Sequence, residues 1–326
     1  MTRRNHAALI AAALAAALAG AIPAKAQDYP TRPITLIVPY TPGGGNDAMA
    51  RVVADKMSVA LGQQIVIENR GGAGGSIATR QVARAAPDGY TLGLGGTGTL
   101  AIDPTLYPNV GYDPRKDFAP VGLIATSALV VLVNPSLPAK TIGEFIALAK
   151  AEPGKINFAS AGAGSGIHLG TELLAYMAGI KLTHIPYKGS APALTDLIGG
   201  HVALYFSSLP PAVGLVKDGK VHALAVTGPT RAKVFPDLPT VSEAALPGFE
   251  AVLHYGIVAP AGTPRPVIDK IHHEVVAIYT DPAVVDRLDK AGIDPVTLTP
   301  EEFDAFFRAE AVRWTRVFRE SGIRLD

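Results

Sequence analysis

Short apolar runs alternate with helical patterns in the early part of the chain, and glycine-rich turns separate them. Residues 34–39 are rich in β-branched side chains, which is typical of a buried strand. A glycine-rich loop at 40–45 follows, and apolar residues then recur at helical spacing until Gly62. The remaining elements of this part are a strand at 64–68, a glycine turn at 71–75, a helix at 76–85 and a strand at 90–94.

The same order of elements returns later in the chain. The predicted pieces are a strand at 156–159, a loop at 160–166, a helix at 167–178, a strand at 181–185, a loop at 186–190, a helix at 191–198 and a strand at 202–206. Strands that alternate with helices favour parallel sheets with loops at the carboxyl ends of the strands. We therefore expect an α/β protein of two lobes, each built on a mainly parallel sheet, with a cleft between them.

Two apolar segments, 121–134 and 249–259, are longer than ordinary strands, and we expect each to cross between the lobes. This places residues 27–127 and 251–326 in lobe 1 and residues 128–250 in lobe 2. The residues after Pro260 are mostly helical in pattern. Thr299-Pro300-Glu301-Glu302 predicts a capping box with proline at the first helical position. The C-terminal region is therefore expected to pack against the rest of the fold and to supply no catalytic or binding residue.

The first 26 residues have the pattern of a secretory signal peptide. Arg3 and Arg4 precede an Ala- and Leu-rich stretch, and Ala24-Lys25-Ala26 offers a small-residue cleavage site. Export to the periplasm with cleavage is therefore expected. Loss of two arginines and one lysine would change the formal net charge from +1 to −2.

The overall composition excludes several classes of protein. The chain has 326 residues, of which 48% are hydrophobic and 17% charged, and it has no cysteine. A disulfide scaffold, a thiolate metal site and a cysteine nucleophile are thereby excluded. The near-neutral charge and scattered basic residues argue against a nucleic-acid partner. We expect a globular monomer without a metal or cofactor.

The two glycine-rich loops at 41–47 and 161–166 are candidates for binding an anion. Ligands of open α/β sheets sit at the carboxyl edge, where loops meet helix amino ends. Glycine lets the backbone approach a ligand closely, and a helix amino end carries about half a positive charge. The sequence therefore predicts a small acid held in the cleft between the lobes.

Several motifs resemble the substrate-binding receptors of tripartite tricarboxylate transporters, the Bug receptor family. They are IVPYTPGGGND at 37–47, VIENRGGAGG at 66–75, GSGIHL at 164–169, PYKG at 186–189, LAVT at 224–227 and PDLPT at 236–240. The resemblance covers the chain from Tyr29 onward. It implies a two-lobed periplasmic binding protein of type II that closes on a carboxylated metabolite and serves membrane transporter subunits. It also implies that ordered waters fixed by loops of both lobes take part in holding the carboxylate.

The candidate ligand-binding residues lie on these loops and at nearby strand ends. They are Tyr40, Thr41, Gly43, Gly44, Asp47, Ala73, Gly74, Thr97, Ala163, Gly164, Ser165, His168, Tyr187 and Ser207. Many members of the resembling family have an aspartate in the segment that matches residues 202–209, whereas this chain has Ala203 and Ser207 there. An amino-acid ligand is therefore less expected than a plain carboxylate or an aromatic acid.

Some of these candidates also have a structural interpretation. Asp47 is expected to be a helix N-cap, and Arg51 its ion-pair partner one turn on. Ser165 can cap its helix and also donate to a carboxylate. His168 can either reach the cleft or pack inside the lobe. Lys188, beside Tyr187, can either meet an acid or face solvent.

The sequence lacks complete motifs for catalysis. Residues 93–98 match the dinucleotide pattern GxGxxG, but Pro104 and Pro108 interrupt the helix that should follow. Residues 273–277 begin like a zinc-protease motif, yet Ala277 replaces the second histidine. A non-catalytic receptor is therefore expected. The alternatives are a secreted enzyme with His168 or Asp47 as the base, and a receptor that serves a signalling partner.

Overall fold

The computed structural model describes residues 29–102, 107 and 109–321. The strands are β1 (Ile34–Pro39), β2 (Ile65–Arg70), β3 (Thr91–Gly96), β4 (Phe118–Val133), β5 (Asn157–Ser160), β6 (Thr183–Pro186), β7 (Leu204–Ser208), β8 (His222–Val226), β9 (Val252–Pro260) and β10 (Asp294–Pro295). The α-helices are α1 (Gly45–Leu61), α2 (Ser76–Ala83), α3 (Ile142–Ala151), α4 (Gly166–Ala178), α5 (Ser190–Ile198), α6 (Leu209–Lys217), α7 (Val241–Ala244), α8 (Arg265–Ala277), α9 (Pro282–Ala291) and α10 (Pro300–Ser321). The expected signal peptide lies outside the described residues.

The strands form a sheet in the order β2-β1-β3-β9-β4-β7-β5-β6, with β8 and β10 also paired to β4. Two parallel groups stand at the ends of this order. In the first, β1 pairs with β2 and β3, and in the second, β5 pairs with β6 and β7. The connecting strands β4 and β9 run antiparallel to their neighbours. Each parallel group has the β-α-β order that the sequence predicts, and the two-lobed α/β fold is confirmed.

Strand β4 joins the two parallel groups as one element of 16 residues. Its residues from Phe118 to Ala128 pair with β9, and those from Leu129 to Val133 pair with β7. The sequence predicts segment 121–134 to cross between lobes, and the single strand β4 covers it as far as Val133. The exact lobe boundaries, at 127/128 and 250/251, stay predictions.

Apolar burial follows the same division. One core cluster surrounds the second parallel group and includes Phe158, Tyr205 and Phe206. Another surrounds the first group and includes Phe303 and Trp314 from α10. The capping box of α10 forms as predicted, because Glu302 donates its backbone N–H to Thr299 Oγ1 and its carboxylate accepts from the Thr299 backbone N–H. In the described part of the chain, each helix is too short or too polar for a membrane span.

Candidate ligand-binding site

A small cavity lies where strand ends of both parallel groups meet the amino ends of three helices. Tyr40 and Thr41 follow β1. Gly96 is the last residue of β3, residues 97–99 follow it, and Ser208 is the last residue of β7. The first residues of α1, α4 and α5 complete the wall together with Leu253, His254 and Tyr255 of β9. The cavity volume is about 30 Å³. Since that is room for about one or two water molecules, a larger guest needs the surrounding loops to separate.

The amino ends of three helices line the cavity, and each carries about half a positive charge. The N-caps of α1 and α5 are Gly44 and Gly189, which have no side chain to accept from the first backbone N–H groups of these helices. Ser165 caps α4 with its side chain. The Gly45 N–H donates to Ser208 Oγ at 3.1 Å. A side chain at Gly45 would place its Cβ 2.5 Å from the Tyr255 hydroxyl, so only glycine allows this approach. Such helix ends favour an anion without a cationic side chain.

Among the described residues, none of those that line the cavity is a lysine or an arginine. The Asp47 carboxylate accepts from Arg51 Nε at 3.0 Å and from the Gly43 N–H at 3.0 Å. Burial opposes ionisation of Asp47, but these hydrogen bonds outweigh it and lower the pKa of its carboxyl group. The negative charge of Asp47 is therefore compensated within α1 and its preceding loop.

The predicted N-cap role of Asp47 is wrong, although its predicted pairing with Arg51 is confirmed. Helix α1 starts earlier than expected, at Gly45, so Asp47 is its third residue and Gly44 is the N-cap. From this position the carboxylate reaches back to the Gly43 N–H. Asp47 therefore joins the loop to the first turn of the helix.

The opposite wall of the cavity carries neutral polar groups. Thr97 Oγ1 lies 2.8 Å from His254 Nδ1. Burial, together with the nearby Arg313, lowers the pKa of His254 to about 4. Within the described part of the chain, the hydroxyls of Thr41 and Tyr255 are buried without a hydrogen-bond partner of good geometry. Buried hydroxyls of this kind are available to a polar guest.

Several predicted site residues lie at contacts between loops and not at the cavity. A Cβ on Gly74 would lie 2.2 Å from the Ala163 carbonyl oxygen, and a Cβ on Gly98 would lie 3.2 Å from the Gly164 carbonyl oxygen. Thr41 donates its N–H to the Lys188 carbonyl at 3.3 Å. Ala73, Gly74, Ala163 and Gly164 therefore belong to the region where the loops of the two parallel groups touch.

The remaining predicted residues are distributed as follows. Tyr40, Thr41, Gly44, Asp47, Thr97 and Ser165 line the cavity. Gly43 lies on a neighbouring groove, Tyr187 donates its hydroxyl to Asp196 at 2.5 Å, and Ser207 donates to the Ser208 carbonyl at 2.8 Å. His168 is buried beneath the loop, and the Lys188 side chain faces solvent.

Sequence reasoning missed the contribution of β9. Leu253, His254 and Tyr255 line the cavity, yet they fall in the segment that the sequence identified only as a crossing between lobes. A histidine and a tyrosine inside an otherwise apolar run were the available signal. Ser190 also lines the cavity, although the sequence predicts Tyr187 as the site residue of the same loop.

Three histidines make stability depend on pH: His168 is buried, and His184 and His254 are half-buried. Burial lowers the pKa of His168 to about 3 and those of His184 and His254 to about 4. The unfolded chain binds these protons near pH 6.5, so the free energy of unfolding should fall as pH drops from about 6.5 towards 4. We expect a loss of at most about 2 kcal/mol per histidine by pH 5. Urea unfolding at pH 7.5 and pH 5 measures it, and equal stability at both values would contradict the burial of neutral imidazoles.

Comparison with known proteins agrees with this architecture. Residues 49–323 match the tripartite tricarboxylate transporter family receptor, TctC. The chain is 39% identical over 306 residues to protein BugT of Bordetella pertussis, covering 94% of each chain. The solved structure of the periplasmic binding protein BugD is similar at 38% identity and a TM-score of 0.87, over 91% of this chain and 99% of that one.

A second solved structure is that of Rpa4515 from R. palustris with adipate. It is 37% identical, with a TM-score of 0.88 over 91% of this chain and 99% of that one. The family match covers most of the chain, and the expected resemblance is confirmed. The chain belongs to the tripartite tricarboxylate transporter receptors, a family of periplasmic solute-binding proteins.

Proposed function

We propose that this protein is an extracytoplasmic receptor that binds a small carboxylate in the cavity and delivers it to the membrane subunits of a tripartite tricarboxylate transporter. One observation carries the proposal: amino ends of helices from both parallel groups converge on a cavity whose described lining has no lysine or arginine. The adipate bound to the similar protein Rpa4515 supports a carboxylate ligand. Residues 1–26 would be the signal that exports the chain.

Binding would couple to closure, because the loops that line the cavity belong to both parallel groups. A carboxylate would enter while the loops are apart, accept hydrogen bonds from groups on both sides, and draw the loops together around it. Charged hydrogen bonds contribute roughly 1.5–3 kcal/mol each, so about four of them suffice for micromolar affinity after ordering costs. The closed form would then present a different outer surface to the membrane subunits.

The geometry favours binding over catalysis. The two candidate bases of the alternative enzyme hypothesis are both engaged elsewhere. Asp47 is held by Arg51, and His168 accepts from the Gly164 N–H below the loop. We therefore expect a bound acid to be recovered unchanged after prolonged incubation, as measured by mass spectrometry.

A thermal-shift panel tests the proposed ligand class. Protein freed of carried-over ligand by unfolding and refolding is mixed with linear dicarboxylates that include adipate, with citrate and with benzoate. A binding acid at 100 times its dissociation constant should raise the free energy of unfolding by about 2.7 kcal/mol.

Dimethyl adipate and 1,6-diaminohexane are the matched controls, since they keep the carbon chain and lack the carboxylates. Neither should shift the melting temperature. Absence of a shift with every acid, or an equal shift with the diester, would overturn the proposed carboxylate site.

A further inference from the structure

The loop at residues 161–164 meets the loops of the other parallel group directly. Its Ala163 carbonyl faces Gly74, and its Gly164 carbonyl faces Gly98. Neither regular sheet nor helix fixes residues 161–164, which lie between β5 and α4. A backbone hydrogen bond from the Ser165 N–H to the Gly162 carbonyl closes the turn, and side chains accept from the Gly162 and Gly164 amides.

His168 holds one of these amides. The Gly164 N–H donates to His168 Nδ1 at 3.2 Å, and the ring is 3% exposed. An acceptor at Nδ1 requires that this nitrogen be unprotonated, so the neutral ring carries its proton on Nε2. Nε2 lies 3.7 Å from Glu172 Oε1. The carboxylate therefore favours a proton on Nε2.

His184 supports the second amide through a serine. The His184 ring stacks on His168 with centroids 3.8 Å apart and an angle of 16° between the planes. Its Nε2 lies 2.6 Å from Ser160 Oγ, and Ser160 Oγ accepts from the Gly162 N–H at 3.1 Å. Phe158 packs against both rings, with its centroid 4.9 Å from that of His184 and 5.9 Å from that of His168.

We propose that the stacked pair His168 and His184 acts as a positioning device that fixes the Gly162 and Gly164 amides and thereby sets how well the loop closes over a bound carboxylate. The inference rests on the proposed function, since it assigns to that site residues that lie outside the cavity wall. Neither histidine contacts the ligand. Each acts through a backbone N–H of the loop.

Two variants of His168 separate this role from general packing. Both His168→Asn and His168→Gln lose the stacked ring, but only asparagine places an amide oxygen where Nδ1 stands. Hydrogen exchange at the Gly164 amide should therefore rise about tenfold in His168→Gln and stay close to wild type in His168→Asn. This arm needs no ligand and does not depend on the proposed function.

Adipate affinity is the second readout, measured by titration calorimetry. The dissociation constant should rise about tenfold in His168→Gln and by less than about threefold in His168→Asn. His184→Phe keeps the stacking and removes the nitrogen, so it should speed exchange at Gly162 and leave Gly164 protected. Wild-type protein offers a test that needs no mutation. The imidazole ¹⁵N chemical shifts should show that Nδ1 of His168 is unprotonated.

Each outcome has a distinct meaning. A protonated Nδ1 in wild type, or equal exchange in His168→Asn and His168→Gln, overturns the positioning role. Hydrogen exchange could follow the expected pattern while wild type fails to bind adipate. That result would support the role of the histidines in holding the loop and would count against adipate as a ligand of the proposed site. Altered exchange with unchanged adipate affinity in both variants overturns the link from the histidines to binding.

Discussion

Replacing Gly74 by alanine is expected to weaken binding of the carboxylate that the thermal-shift panel identifies by about a hundredfold, which corresponds to about 2.7 kcal/mol. The new Cβ would lie 2.2 Å from the Ala163 carbonyl oxygen, inside the distance that real contacts tolerate. Both partners belong to the backbone, so neither can rotate away, and the two loops must stay apart. A receptor that holds its ligand by closing these loops loses most of its affinity when they cannot meet. Titration calorimetry measures the effect.

Gly62→Ala is the matched control for this substitution. Gly62 and Gly74 have nearly equal left-handed backbones, with φ of +65° and +63°, but a Cβ on Gly62 meets nothing within 4 Å. Both variants should lose about 1 kcal/mol of stability to backbone strain. Only Gly74→Ala should lose binding. Equal affinity of the two variants for that carboxylate would show that the contact between the loops at Gly74 and Ala163 is not needed for binding.

Among the substitutions, Gly256→Val in the middle of β9 is expected to cause the largest loss of stability. A Cβ at Gly256 would lie 2.2 Å from the tip of the Phe303 ring, which is 2% exposed and packs edge-on against Phe307. The ring has no free space to enter, so α10 must shift away from the sheet. Overpacking of this kind costs roughly 1–3 kcal/mol, and valine belongs at the upper end. Urea unfolding measures the loss.

A double-variant cycle identifies the cause. Phe303→Leu alone should cost about 1–2 kcal/mol, because it leaves a small void. In the background of Phe303→Leu, Gly256→Val should cost at least about 1 kcal/mol less than in wild type. Additive losses would mean that the destabilisation does not arise from the contact between β9 and α10.

Local signals in the sequence were sufficient where the structure depends on neighbouring residues. The bounds of β1 agree with prediction, Ser165 caps α4 by accepting from the His168 N–H, and the capping box of α10 forms. Each of these features is decided within a few residues of chain. The α/β repeat also follows from local periodicity, and from it the two parallel groups of strands.

Features that depend on contacts between distant segments were harder to predict. Asp47 was expected to cap its helix, since aspartate favours that position, but its carboxylate reaches back to Gly43 from the third helical residue. The sequence also cannot distinguish glycines that line the cavity, such as Gly44, from glycines that touch another loop, such as Gly74. That distinction depends on how the two parallel groups meet across β4 and β9.

The scarcity of side-chain cations at the cavity has a practical consequence for mutagenesis. If helix amino ends supply the attraction, as proposed, the donors are peptide groups that every amino acid except proline retains. Truncating lining side chains one at a time would leave those donors in place. A conventional alanine scan would therefore underestimate how much the site contributes to ligand affinity. Replacing the peptide bond that carries the Gly166 N–H by an ester would remove a donor itself and report its share of the affinity, whereas the Gly45 N–H already donates to Ser208.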